Sequence, residues 1–268
     1  MPARAARSEG STRRVNAPVD YRIEGSVAVI TMNDPDRRNA LSQPMRSGLR
    51  QAFERFAADG EALVGILTGA GERAFCAGGD LAEMSEHQYR APGPDHVAII
   101  GRNIETDKVL VAAVNGLALG GGFMMAQMAD LVVAAQHAVF GMPEARWGRG
   151  APWSVPLAHM VPQRIWMELA VLGQPISAQR AYEVGLVNRV VTSDQLMDTA
   201  MDMARTVAAN APLTVRASRR MIRLAGDLGL SEAWDAADEL FVEVYESEDA
   251  QEGPRSFVEK RPAHWKGR

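Results

Sequence analysis

The chain has 268 residues, 47% of them hydrophobic and 23% charged, with a formal net charge of −4 at pH 7. That composition is ordinary for a soluble globular protein able to bury a sizeable core, and its mildly acidic balance argues against nucleic acid as the main partner. Its one cysteine, Cys76, excludes an intrachain disulfide, and no apolar run reaches the roughly 18 residues of a membrane span, so no membrane partner and a cytoplasmic setting are expected.

Residues 1–18 carry Arg4, Arg7, Arg13 and Arg14 against a single acid, Glu9, with no apolar stretch of the signal-peptide kind. They read as a disordered N-terminal extension, with an Arg-rich transit peptide as the alternative. Strand-like residues 21–32 flank Glu24-Gly25-Ser26 and predict a hairpin. Ser42 is placed to cap a helix with Pro44 in its first turn, along which Met45, Leu49, Ala52, Phe53 and Phe56 recur at helical spacing. Apolar residues 63–67 and 109–114 read as buried strands, and 131–135 as another. Between the first two lies a polar, Pro-containing stretch, 85–95, expected to be a mobile loop. Strands alternating with helices predict an α/β fold with crossover connections. From Ala211 onward the pattern is helical. Pro212 opens one helix, and a second carries Trp234, Ala237, Leu240, Phe241 and Tyr245 as an apolar stripe for core or subunit contact.

Two small-residue turns stand out. Phe75-Cys76-Ala77-Gly78-Gly79-Asp80-Leu81 follows the first buried strand. Val114-Asn115-Gly116-Leu117-Ala118-Leu119-Gly120-Gly121-Gly122 follows the second and leads into a helix-like run, 123–128. Glycines let main-chain N–H groups approach a ligand closely, and two such turns face to face can aim two donors at one oxygen, as acyl and enolate chemistry requires.

At these residues the chain resembles the crotonase, or enoyl-CoA hydratase/isomerase, family. The resemblance extends over Asn33-Asp34-Pro35-Asp36-Arg37-Arg38-Asn39-Ala40-Leu41, Phe140-Gly141-Met142-Pro143-Glu144, the stretch from Ile176-Ser177-Ala178 to Gly185-Leu186-Val187, and Phe257-Val258-Glu259-Lys260-Arg261-Pro262. It implies a spiral of ββα units over residues 19–210, followed by a C-terminal helical subdomain, 211–268, that covers an active site or joins subunits into a homotrimer or a dimer of trimers. It also implies an acyl-CoA thioester as substrate, with coenzyme A present only as part of that substrate and no further cofactor. The matching positions give Gly79 and Gly121 the oxyanion amides, with Ala77, Gly78 and Asp80 beside them. Arg38, Ala40 and Leu41 match the segment that meets adenine and pantetheine, and Phe257 and Lys260 match the C-terminal segment near the nucleotide. The chain holds no metal-ligand cluster, Gly-Lys-Ser/Thr phosphate loop or dinucleotide fingerprint.

The acid/base positions depart from the family. A family hydratase holds one water between two glutamates; here the first position is Met124 and the second is Glu144, at the family's spacing without a gap. A single carboxylate can take a proton from one carbon and return it to another, which favours double-bond isomerisation over hydration. Hydration with water held by Glu144 alone, or a non-catalytic acyl-CoA binder, are the alternatives. Glu144 beside an apolar Met124 should be poorly solvated, which raises a carboxyl pKa, unless Arg146 turns inward and lowers it. Trp147, Trp153 and Arg149 would narrow and polarise the acyl pocket. Asp80 and Glu83 are candidate replacement acids, Asp80 being the better helix cap. His159 reads as structural. One branch of the family binds RNA through a lysine-rich helix; Arg46, Arg50 and Arg55, interrupted by Glu54 and Asp59, read instead as a solvated face.

Overall fold

The computed structural model describes residues 17–268, so the extension expected at 1–18 falls almost wholly outside the described residues. Strands β1 (Val19–Glu24) and β2 (Val27–Met32) form the expected antiparallel hairpin around Gly25, whose φ of +63° is a conformation that side chains resist. Helix α1 (Gln43–Ala58) buries Met45, Leu49, Ala52, Phe53 and Phe56, the stripe read from the sequence. Ser42 occupies its N-cap without a side-chain cap bond; the Gln43 amide donates instead to Glu83 Oε2 at 2.7 Å, so a distant carboxylate replaces the local cap.

A repeating unit follows. Strand β3 (Val64–Gly69), the short β4 (Ala74–Cys76) and α2 (Leu81–Glu86) make the first; β5 (Val109–Val114), β6 (Leu117–Leu119) and α3 (Gly121–Gln127) make the second. Strands β7 (Leu131–Ala135) and β8 (Val139–Gly141) begin a third, which continues through 3-10 segments Pro143–Trp147 and Pro152–His159 into α4 (Gln163–Met167). Then come β9 (Ile176–Ser177), α5 (Ala178–Glu183), β10 (Arg189–Val191) and α6 (Leu196–Ala209). Each unit gives its long strand to one sheet, ordered β1-β2-β3-β5-β7-β10, and its short strand to another, ordered β4-β6-β8-β9. Strands β2, β3, β5, β7 and β10 run parallel, as do β4, β6 and β8. This is the expected spiral.

The long strands are apolar on both faces because both are covered. One face meets α1 and the short-strand sheet through Phe53, Phe56, Phe75, Phe123 and Phe140. The other packs Val29, Ile66, Val111 and Val133 against Leu196, Ala200 and Ala204 of α6.

Helices α7 (Pro212–Asp227), α8 (Leu230–Glu246) and α9 (Glu248–Glu259) complete the chain. Arg219 anchors α7: its Nε donates to Asp130 at 2.8 Å and its Nη1 to the Thr106 carbonyl at 2.6 Å. α8 has no buried residue; Trp234 is 65% and Tyr245 74% exposed, so its stripe is not core of this chain. α9 carries Pro254 internally and extends the helical region beyond the two helices expected. Among the described residues no helix is long and apolar enough to cross a membrane.

Candidate active site

Because β4 and β6 are parallel neighbours, the turns at their C-terminal ends meet. Buried Asn39 draws a third segment alongside: its Nδ2 donates to the carbonyls of Ala70 at 3.0 Å and Ala74 at 2.9 Å. Leu41 N then donates to Gly78 O at 2.8 Å, and Ala77 N to Arg38 O at 3.0 Å. A Cβ built on Gly121 would lie 3.8 Å from both Gly78 Cα and Gly79 N, and one built on Gly78 would lie 3.3 Å from Gly121 N. The Gly79 and Gly121 amides thus flank one gap of atomic size. Neither donates a hydrogen bond among the described residues. Gly121 opens α3, so the helix adds positive potential at the same place.

Strand β8 lies beside β6 and delivers the 3-10 turn that carries Glu144. Gly120 N donates to Gly141 O at 2.9 Å, and a Cβ on Gly120 would stand 3.1 Å from Glu144 Oε1. Glu144 Oε2 is buried without a hydrogen-bond partner. Burial raises the Glu144 pKa; its own main-chain N–H and the Trp153 indole pull it back only in part. Arg146 does not turn inward: it is exposed, with its stem against Gly173. Met124, 5% exposed on α3, faces the same space.

That space is a cleft of about 1000 Å³. Of the residues singled out in the sequence, Leu41, Arg46, Ala77, Gly78, Gly79, Gly121, Met124, Glu144, Trp147, Arg149 and Trp153 line it together. Glu144 is its only carboxylate among the described residues. Trp153 also packs edge-on to Phe123, with 6.0 Å between ring centroids, so it belongs to core and cleft at once. No cluster of three or more His, Cys, Asp or Glu able to hold a metal occurs among the described residues.

Other candidates lie outside the lining. Asp80 is occupied: Oδ1 accepts from Ala82 N at 3.0 Å and Glu83 N at 3.1 Å, capping α2, and Oδ2 pairs with Arg37. Arg38 is exposed in the left-handed conformation and Ala40 is half-buried; they meet the first turn through the Arg38 carbonyl rather than the cleft through side chains. Phe257 is 85% exposed, and Lys260 ends α9 on the surface. His159 is exposed, with its ring next to Gly226 of α7.

Glu83 is no replacement acid. Its carboxylate accepts from Tyr89 Oη at 2.7 Å, Arg46 Nη2 at 2.8 Å and Gln43 N at 2.7 Å. Burial pushes its pKa up, but bonds from Tyr89, Arg46 and the Gln43 amide, with the Arg46 charge, outweigh that and hold it at about 2. Arg46 is correspondingly not on a solvated face: its side chain is 10% exposed. Glu83→Gln is expected to destabilise the protein by about 3 kcal/mol, because removing one partner strands the other. The depressed pKa puts this contribution in place above the ordinary value of 4.5 and removes it as pH falls toward 2, so melting curves of wild type and variant should converge in acid.

Sequence reasoning missed most of the far wall of the cleft. Tyr89, Arg90, His96 and Arg102 line it, in or shortly after the stretch expected to be a loop, and Arg149, the arginine expected to polarise the pocket, joins them from the loop after Glu144. Nothing periodic marks them, and residues 85–95 hold only one Arg and one His among eleven, so composition gave no signal either.

A family model described as enoyl-CoA hydratase/isomerase matches residues 22–268. A carnitinyl-CoA dehydratase from Salmonella agona is 36% identical over 254 residues, covering 91% of this chain and 96% of that protein. The crystal structure of an enoyl-CoA hydratase/isomerase from Mycobacterium paratuberculosis superposes with a TM-score of 0.85 at 35% identity, covering 94% of this chain and 99% of that one. An enoyl-CoA hydratase from Mycobacterium tuberculosis gives 0.85 at 32% identity, covering 94% and 100%.

Proposed function

We propose a function from the premise that this chain belongs to the enoyl-CoA hydratase/isomerase family: it moves a double bond in an enoyl-CoA, with Glu144 as the sole proton carrier. The carrying observation is that one carboxylate, poorly solvated, shares the cleft with Met124 and with two unengaged glycine amides. Starting from a 3-enoyl-CoA, ionised Glu144 takes a proton from C2. The electron pair delocalises over the diene and onto the thioester oxygen, which the Gly79 and Gly121 amides receive. Protonated Glu144 returns the proton at C4, giving the 2-enoyl-CoA. Loss of one such oxyanion donor typically costs about two to three powers of ten in rate. The C-terminal helices serve as the subunit contact of a trimer or dimer of trimers, a role supported by the exposed apolar face of α8. The buried free thiol of Cys76 is in keeping with a reducing cytoplasm.

The names of the relatives favour a second reading, reversible hydration of a 2-enoyl-CoA with Glu144 alone holding the water. Purified protein incubated in D2O with 2-enoyl- and 3-enoyl-CoA, followed by NMR, separates the two. The first reading expects interconversion of the two isomers without accumulation of 3-hydroxyacyl-CoA. Rapid 3-hydroxyacyl-CoA formation that Glu144→Gln abolishes overturns it in favour of the second. Tight binding without turnover of either would mean a non-catalytic acyl-CoA binder.

A further inference from the structure

Away from the glycine turns, the cleft wall is cationic. Arg90, Arg102 and Arg149 line it, and none has a carboxylate partner among the described residues. Arg46, the remaining arginine of the lining, is neutralised by Glu83. Arg149 is held in place: its Nη1 donates to the Tyr89 carbonyl at 3.0 Å, spanning from the loop after Glu144 to the facing wall. That acceptor is neutral, so the bond fixes the guanidinium without cancelling its charge.

His96 reports the same field. Its imidazole stands edge-on to Tyr89, 5.7 Å between centroids. Burial lowers its pKa most; Arg46 lowers it further, Glu83 opposes, and Arg149 adds to the lowering. Arg149 in particular is half-buried. A hydrocarbon tail laid over it would remove water from an unpaired charge and offer nothing in return, which is costly. An acyl group ending in a carboxylate would pair with it, and guanidinium is well matched to carboxylate.

The function proposed above supplies the premise that the ligand is a CoA thioester. On it, we propose that the acyl group taken into this cleft ends in a carboxylate, received by Arg149 with Arg90 and Arg102 at the rim. The substrate class is then the CoA monothioesters of unsaturated dicarboxylic acids. A quaternary ammonium at that end would meet repulsion instead.

The test compares enoyl-CoAs of equal chain length ending in methyl, carboxylate or trimethylammonium. Wild type should show kcat/KM about tenfold or more higher for the carboxylate than for the methyl compound, as a charge-assisted hydrogen bond implies, and lowest for trimethylammonium. Arg149→Gln should cut the carboxylate-to-methyl ratio about tenfold. Arg102→Gln, at an exposed rim position, should lower it less and serves if the first variant does not fold. A wild-type ratio of one or below, or a ratio unmoved in folded variants, overturns the inference while leaving Glu144-dependent turnover of the methyl compound intact. Calorimetry with free CoA supplies the control: equal weakening of free CoA and carboxyacyl-CoA by Arg149→Gln means the arginine reads a CoA phosphate, and the inference falls. If none of the enoyl-CoAs reacts, the proposed function fails separately. Saturated carboxyacyl-CoA binding more tightly than its methyl counterpart then still upholds the carboxylate site, and equal binding overturns it.

Discussion

Glu144→Gln should lower kcat by about a thousandfold, within the range expected for general acid–base catalysis, and should at the same time raise the melting temperature at neutral pH. The first effect follows because the cleft offers no other carboxylate among the described residues and glutamine carries no transferable proton. The second follows from linkage. Burial lifts the folded-state pKa of Glu144 above its ordinary value of 4.5, so ionisation disfavours the folded state. Below the ordinary value the side chain is neutral in both states and the penalty vanishes. It grows as pH rises from there through the raised value, and is complete above it. The stability gain of Glu144→Gln should therefore shrink as melting curves are repeated toward pH 4, roughly the ordinary carboxyl range. Wild-type kcat/KM for isomerisation should rise with pH through the same raised pKa, because the base must be ionised to act. An inactive variant that is also less stable at neutral pH would indicate that Glu144 supports the fold rather than the chemistry.

The parts legible in the sequence are those whose signal is local. Residues 109–114 form an unbroken apolar run, and both faces of β5 are buried. The α1 stripe is complete within one helix. The glycines of both turns declare themselves because a close main-chain approach tolerates little else; Gly78 at φ +94° and Gly120 at φ +53° are conformations that side chains resist. Met124 and Glu144 are legible only through the family resemblance, whose spacing between the two positions they keep. Illegible were strands β4, β6 and β8, three residues each and too short to show a period. Helix α6 was overlooked because its buried face is half alanine, Ala200 and Ala204 beside Leu196 and Met201. The environment of Arg46 depends on Glu83, 37 positions away, and no local pattern distinguishes it from the exposed face it resembles. The stripe on α8 says that something covers it without saying what, since an apolar face fits a core and a subunit contact equally.

Adjacent glycines at the start of α3 should fail in opposite ways when each gains one methyl group. At Gly121 the new Cβ meets Leu41 Cδ1 at 2.6 Å, the end of a flexible side chain that can swing aside, and otherwise clears Gly78 Cα and Gly79 N at 3.8 Å. Gly121→Ala should fold with a melting temperature close to wild type. Its methyl group, however, stands beside the two amides, where the proposed mechanism puts the thioester oxygen, so kcat should fall by about two to three powers of ten. At Gly122 the Cβ falls 1.9 Å from Cys76 O and 2.7 Å from Cys76 C, both main-chain atoms of β4. No rotamer change relieves that clash; α3 must move off the strand. Gly122→Ala should destabilise by about 3 kcal/mol or more, the upper part of the range for overpacking, and lower the melting temperature by several degrees. Thermal unfolding and single-turnover rates on the two variants separate folding from chemistry at neighbouring positions. Full activity in folded Gly121→Ala would mean that the thioester oxygen is held elsewhere, because a methyl group and that oxygen cannot share a gap of atomic size.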